Sequence, residues 1–270
     1  MANLYPNGAG GTTGDTWATC EPLYMSGAIW YVHSSTGTDA AAPAGKNREK
    51  PLATLAQAVT NAADNDVIVF LSGHAETLTS AQTISEKLTL AGEGSSSGVP
   101  TVVFTGGANA ALFTISGTNV ELRNIKIAAS TVANSTSRAT VTGVGFVMDG
   151  CYVECGANDT AAAFTLGSGA DQALLRNTTF ISTATLTSAQ PESALKSSAA
   201  IADLTLEGVT FSAGTVGFSN YFAWDSSAAA VTRVKALDLS LLLGADVKLH
   251  ASSTGRVNVS TTTGGSRVEW

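Results

Sequence analysis

Five short pieces of this chain follow one template: LRNIKI (122–127), MDGCYV (148–153), LRNTTF (175–180), LEGVTF (206–211) and, more loosely, LDLSLL (237–242). Each reads apolar, charged, Asn or Gly, two variable positions, apolar. Their first residues, Leu122, Met148, Leu175, Leu206 and Leu237, stand 26, 27, 31 and 31 residues apart, and Leu90 in LTLAGE precedes the first by 32. A unit of this size made of strand-length pieces cannot bury its apolar side within itself. It must stack on its neighbours, which makes a solenoid with one apolar residue per coil in an inward column.

The template also says how a coil bends. Its third position holds Asn124, Gly150, Asn177 and Gly208, and Asn and Gly are the residues that most readily take positive φ. A tight bend between two strands is expected there. Beyond it, Ile125 and Ile127, Cys151 and Val153, and Val209 and Phe211 alternate with strand parity and should face inward. The polar stretches 91–100, 128–143, 156–162 and 182–200 read as loops whose varying length explains the uneven intervals, because insertions outside the strands leave a stack in register. The expected fold is all-β, a right-handed parallel β-helix with an N-terminal α-helical cap and an extended N-terminal arm.

Three regions follow. Residues 1–28, rich in Gly, Thr and Asn and carrying Tyr5, Trp17 and Tyr24, show no period of 2 or 3.6 and read as an arm for docking and assembly. Residues 29–66 hold a strand (IWYVH), a turn-rich loop and a capping helix over 51–63, opened by Pro51, with Leu52, Leu55, Val59 and Ala62 at helical spacing and Asp64-Asn65-Asp66 as its stop. Residues 67–270 form the β-helix, beginning with the apolar run Val67–Leu71.

Composition narrows the function. Hydrophobic residues make up 44% and charged residues 13%, so a large core is affordable and the surface must be mostly Ser, Thr, Asn and Gly. A net charge of -7 and a pI near 4.9 argue against nucleic acid as a partner, which requires clustered Lys and Arg. MANLYPNGAGG lacks the pattern of a secretion signal and no apolar run is long enough for a bilayer span, so a soluble protein synthesised in the cytoplasm, without a membrane partner, is expected. Cys20, Cys151 and Cys155 match neither a disulfide set nor a zinc spacing and read as buried thiols. No metal and no cofactor is expected.

The stretches YVHSSTGTDA, GKNREKPLATLAQAV, DNDVIVFLSGHAETLT and ISEKLTLAG resemble the opening of pectin-lyase-like β-helix proteins, where a strand, a loop with Gly and Asp, a KP-x-x-T-x-x-x-A-V helix and a first coil follow in this order. The likeness covers 29–92. Together with the low charge and the Ala/Ser/Thr/Gly-rich loops, it looks like a bacteriophage virion component. The resemblance implies a head decoration or tailspike subunit on the virion surface, a homotrimer whose partners are its own copies and the major capsid or another virion protein.

Enzymes of that fold supply patterns to test. Of the polygalacturonase-like set only an Arg-x-Lys occurs, Arg233-Val234-Lys235; there is no adjacent Asp pair, and His33, His74 and His250 lack the required context. Charged residues on an outer strand face are usually just solvated. Calcium-dependent lyases need converging carboxylates. The second template position gives a column, Arg123, Asp149, Arg176, Glu207 and Asp238, whose alternating signs read as cross-coil pairs. The catalytic alternative pairs Asp149 with Glu207 as acid and base across two coils, roughly 9–10 Å, with Arg176 between them. That alternative makes the chain a polysaccharide-degrading or glycan-binding tailspike, with a host surface glycan as partner. Tyr221, Phe222 and Trp224 could form a subunit contact, stack on sugars or pack their own loop. The end at Trp270 is a further candidate contact, because a solenoid leaves open ends that need covering.

Overall fold

The structure is a computed structural model that describes residues 27–107, 112–129, 138–156, 162–183 and 193–212, and beyond them the strand backbones within 222–250. The repeats are stacked coils. Three parallel sheets run the length of the stack, with eight, seven and seven strands, and each coil visits them in turn. The only antiparallel ladder among the described strands is the small hairpin Ser95–Ser96 with Val99–Pro100. This is a parallel β-helix. From Val67–Phe70 onward each return to the first sheet crosses by way of the other two, a connection that runs right-handed as a rule.

Register is fixed by the inward column, since a one-residue slip would turn every apolar side chain outward. In the first sheet Leu90, Leu122, Met148, Leu175 and Leu206 pair rung to rung and are buried. The last rung departs from the sequence expectation. Leu206 pairs with Ala236, and Leu237 pairs with Glu207. By register the template of that coil therefore starts one residue earlier, at Ala236, and Leu237 is not the rung opposite Leu206.

The bend after this sheet is the expected one. Asn124, Gly150, Asn177 and Gly208 have φ of 49°, 62°, 49° and 60°. Three of these N–H groups bond the next coil: Asn124 donates to Asp149 O at 2.9 Å, Gly150 to Arg176 O at 3.2 Å and Asn177 to Glu207 O at 2.9 Å. Asn124 adds a second use, its Nδ2 donating to Gly92 O (2.7 Å) and Gly94 O (3.0 Å). Past the bend the second sheet buries Phe104, Ile127, Val153, Phe180 and Phe211 in register. Phe180 stacks on Phe211 with centroids 5.3 Å apart.

Two strands of the third sheet lie in stretches the sequence suggested were loops. Ala139–Val141 lies within 128–143 and Ser193–Ser197 within 182–200, while 91–100 holds the end of Thr89–Gly92 and the small hairpin. Phe113, Ala139, Phe164 and Leu195 form its buried column.

The cap helix is shorter than expected, Leu55–Asn61. Leu52 is not helical; its backbone bonds Tyr31 O and His33 N, each at 2.8 Å, as a strand does. Thr54 starts the helix instead, accepting from Gln57 N (3.2 Å), while Asp39 takes the N–H groups of Ala53 (2.8 Å) and Thr54 (3.0 Å). These are the orphan donors every helix start must place. Leu55 and Ala58 are buried in the same core as the coils.

Candidate functional site

The outward charged column is present over four rungs. On the outer face of the first sheet Arg123, Asp149, Arg176 and Glu207 occupy successive rungs. The fifth position is Leu237, so Asp238 does not continue it; Asp238 lies outside the described residues. Arg176 Nη2 meets Asp149 Oδ2 at 2.9 Å, and Asn177 Nδ2 donates to the other oxygen at 3.2 Å. Arg123 turns to its own strand, with Nε 2.7 Å from Glu121 Oε1. Glu207 is exposed on the rung beyond Arg176.

Asp149 thus accepts hydrogen bonds on both oxygens. Asp149 and Glu207 are two rungs apart as expected, with a guanidinium between them. The second sheet repeats the pattern: Lys126 Nζ is 2.7 Å from Glu154 Oε1 and 5.8 Å from the centre of the Tyr152 ring. Outward charges of neighbouring coils are used on one another.

Other candidates scatter. Lys235 is exposed on the last first-sheet strand, while Arg233 lies outside the described residues. Phe222 and Trp224 belong to a third-sheet strand, opposite Ser193 and Leu195. Tyr5, Trp17, Tyr24, Tyr221, Trp270 and Cys20 lie outside the described residues, as does the arm 1–28 apart from its last two. Cys151 and Cys155 are buried free thiols, and burial pushes both up to about 12. Among the described residues no group of three or more His, Cys, Asp or Glu could hold a metal ion, and no helix is long and apolar enough to cross a membrane.

Further well-connected polar groups lie outside the charged column. Asp66 is nearly buried and accepts from Ala28 N (2.5 Å), Trp30 Nε1 (2.8 Å) and Ala63 N (3.0 Å). Desolvation opposes its charge, but these hydrogen bonds with Lys46 behind them prevail and hold its carboxyl below the usual range. Gly27 passes so close that a Cβ there would sit 2.5 Å from Asp66 Oδ1. Trp30 is therefore fixed inside the coil, with Lys46 Nζ 4.8 Å above its ring.

His74 is fully buried between Phe70 and Phe104, its ring 5.1 and 5.3 Å from theirs. Its Nδ1 accepts from Ser34 N at 3.0 Å, leaving Nε2 to face Glu76 Oε2 at 3.2 Å. Glu76 in turn accepts from Leu55 N at 2.9 Å, so this chain of bonds ends on the cap helix. Arg138 is buried beside Cys155, and burial pulls it down to about 10. Arg48 and Glu93 pair bidentately, tying the 33–50 loop to the first coils.

The third sheet differs on its outer face. Thr83, Thr114, Thr140 and Thr165 occupy four consecutive rungs in register, before Lys196.

No family model and no curated protein matches the sequence. Among solved structures, the crystal structure of pectate lyase Pel9A is similar over 91% of this chain and 80% of that one, with 8% identity and a TM-score of 0.41. ORF18 of Geobacillus virus E2 is similar over 73% of this chain, with 10% identity and a TM-score of 0.28. This chain spans 54% of that viral protein.

Proposed function

We propose that the chain is a structural subunit of a bacteriophage virion exterior, a capsid decoration or spike protein that associates with its own copies, as a homotrimer, and docks on a capsid or other virion protein through residues 1–28. The supporting observation is the use of the outward charges. Asp149 is held by Arg176 and Asn177, and Lys126 by Glu154, so these charges reinforce the stack rung by rung. A stack with a continuous core and cross-coil pairs is a rigid body suited to an exposed particle surface. The low charge and hydroxyl-rich composition are consistent with that setting.

The test is assembly. The purified full chain should sediment as a trimer and bind capsids; a chain lacking residues 1–28 should keep its fold and lose capsid attachment. Failure of both would overturn the reading. The competing enzymatic reading rests on exposed Glu207, two rungs from Asp149. Turnover of acidic polysaccharides, with or without calcium, that is abolished by Glu207→Gln would establish it instead.

A further inference from the structure

We propose that His74 is a proton-operated latch between the 33–50 loop and the first coil: the neutral ring holds the loop at Ser34, and a proton on the ring releases it. The two states differ within one chain and need no partner.

The ring cannot follow a departing loop. His74 ends the turn after Val67–Phe70, its N–H donating to Leu71 O (3.0 Å) and its C=O accepting from Val103 N (2.9 Å). The side chain is fully buried, with the rings of Phe70 and Phe104 5.1 and 5.3 Å away. Nδ1 accepts from Ser34 N at 3.0 Å. A ring nitrogen that accepts a hydrogen bond holds no proton, so the neutral ring carries its proton on Nε2. That nitrogen lies 3.2 Å from Glu76 Oε2 without the alignment of a hydrogen bond.

The two neighbours ask opposite things of the ring. Ser34 N–H needs Nδ1 bare. The Glu76 carboxylate attracts a charged ring more strongly than a neutral one. A second proton can enter only at Nδ1, where it turns an acceptor into a donor and sets it against the Ser34 N–H. The Ser34 bond is then lost while the Glu76 pair tightens, so each partner is served by one protonation state.

The surroundings leave that choice to Ser34 and Glu76. The strands Val67–Phe70 and Val103–Gly106 bring the rings of Phe70 and Phe104. The cap helix Leu55–Asn61 brings the Leu55 N–H, which Glu76 Oε2 also accepts at 2.9 Å, and it has no charged side chain. The loop brings Ser34 and, next to it, His33, whose Nδ1 accepts from Thr36 N at 3.3 Å. Further along the loop Arg48 is paired bidentately with Glu93.

Release is local. Ser34 Oγ accepts from Ala75 N at 3.1 Å, so the amides of Ser34 and Ala75 come free together. Asp39 at the helix start and the Arg48–Glu93 pair still hold the rest of the loop. The segment around Ser34 opens while the stack stays folded.

The experiment follows the isotope-labelled full chain by NMR at about pH 8 and about pH 5, either side of the range in which imidazoles change charge. The ring nitrogen shifts of His74 report its charge, and amide exchange, corrected for its intrinsic pH dependence, reports release. The ring should carry a proton on Nε2 alone at the higher pH and on both nitrogens at the lower. Ser34 and Ala75 should then exchange roughly tenfold faster relative to Leu52, whose N–H bonds Tyr31 O inside the same cap. In His74→Asn the side-chain oxygen can accept from Ser34 at either pH, and the acid response should vanish; in His33→Asn it should persist. Exchange at Ser34 that stays flat overturns the proposal, whether the ring remains neutral or charges without letting go. A rise shared equally by Leu52 overturns it too, because that marks unfolding of the whole cap. If His74→Asn does not fold, the parent and His33→Asn decide: a response that disappears with His33 refutes the latch.

Discussion

Replacing Asp66 by Asn changes one atom and should unfasten the start of the stack. In the native chain Oδ1 accepts from Ala28 N, and Oδ2 accepts from both Trp30 Nε1 and Ala63 N. An Asn oxygen can serve one of these two groups; its amide then points at the donors of the other. Hydrogen bonds to a charged acceptor contribute about 1.5–3 kcal/mol each, and a buried orphaned donor costs about 1–3 kcal/mol. Losing one charged bond and converting the rest to neutral ones should therefore cost about 3 kcal/mol, a sizeable share of the ~5–15 kcal/mol that holds a domain folded. The native carboxyl is held below its ordinary value, so its contribution is complete above an unfolded value of about 3.9 and is lost as pH falls through the folded one. Asn does not titrate. The gap between parent and Asp66→Asn should be full at pH 7 and narrow below about pH 4. Urea unfolding at both pH values measures it, with amide exchange at Ala28 and Ala63 reporting locally, because solenoids can open coil by coil. A variant within about 0.5 kcal/mol of the parent at pH 7, the usual range of an inert surface change, would refute the argument. So would a gap that is unchanged in acid.

Three further outcomes follow from the stack. Leu175→Ala removes a fully buried rung between Met148 and Leu206 and should cost about 2–5 kcal/mol in denaturant unfolding. Asn177→Ala puts a Cβ residue without a compensating side chain at φ 49° and should cost about 1–2 kcal/mol, whereas Asn177→Gly should cost less, as read from melting curves. Cys151 and Cys155 should resist thiol reagents in the folded chain and label fully in denaturant, since burial raises both to about 12 and the thiolate is the reactive form.

The first two sheets were legible because their strands meet at a bend that needs Asn or Gly, which stamps the template into the sequence. The third sheet was not. Its strands are no shorter than those of the first two sheets, but Phe113-Thr114-Ile115, Ala139-Thr140-Val141 and Phe164-Thr165-Leu166 share no Asn or Gly bend with a neighbouring strand. Their common form, apolar-Thr-apolar at intervals of 26 and 25, was the available signal. Leu237 was misplaced for the opposite reason: ALDLSLLL is apolar in more than one frame, and only pairing with Leu206 selects Ala236. In the candidate site the rung order of Asp149, Arg176 and Glu207 could be read from the template. What could not be read was that Asn177, chosen by its bend, also donates to Asp149.

The opening motif gains a physical meaning that separates fold from activity. Asp39 in STGTDA accepts the N–H groups of Ala53 and Thr54 and the Thr54 hydroxyl (2.7 Å), so the loop is stapled to the helix start. Pro51 precedes a backbone that pairs as a strand at Leu52 and only then turns helical, and Thr54 supplies the cap. Glu76, one coil further on, takes the Leu55 N–H and binds the helix to the stack through His74. Asp39, Thr54 and Glu76 of the motif thus accept from backbone N–H groups at the helix start. A chain can therefore carry the whole motif because it must close the first coil of a β-helix, whatever its outer face does. This is why the opening specifies the cap so strongly, and why any function has to be argued from the outward ladders.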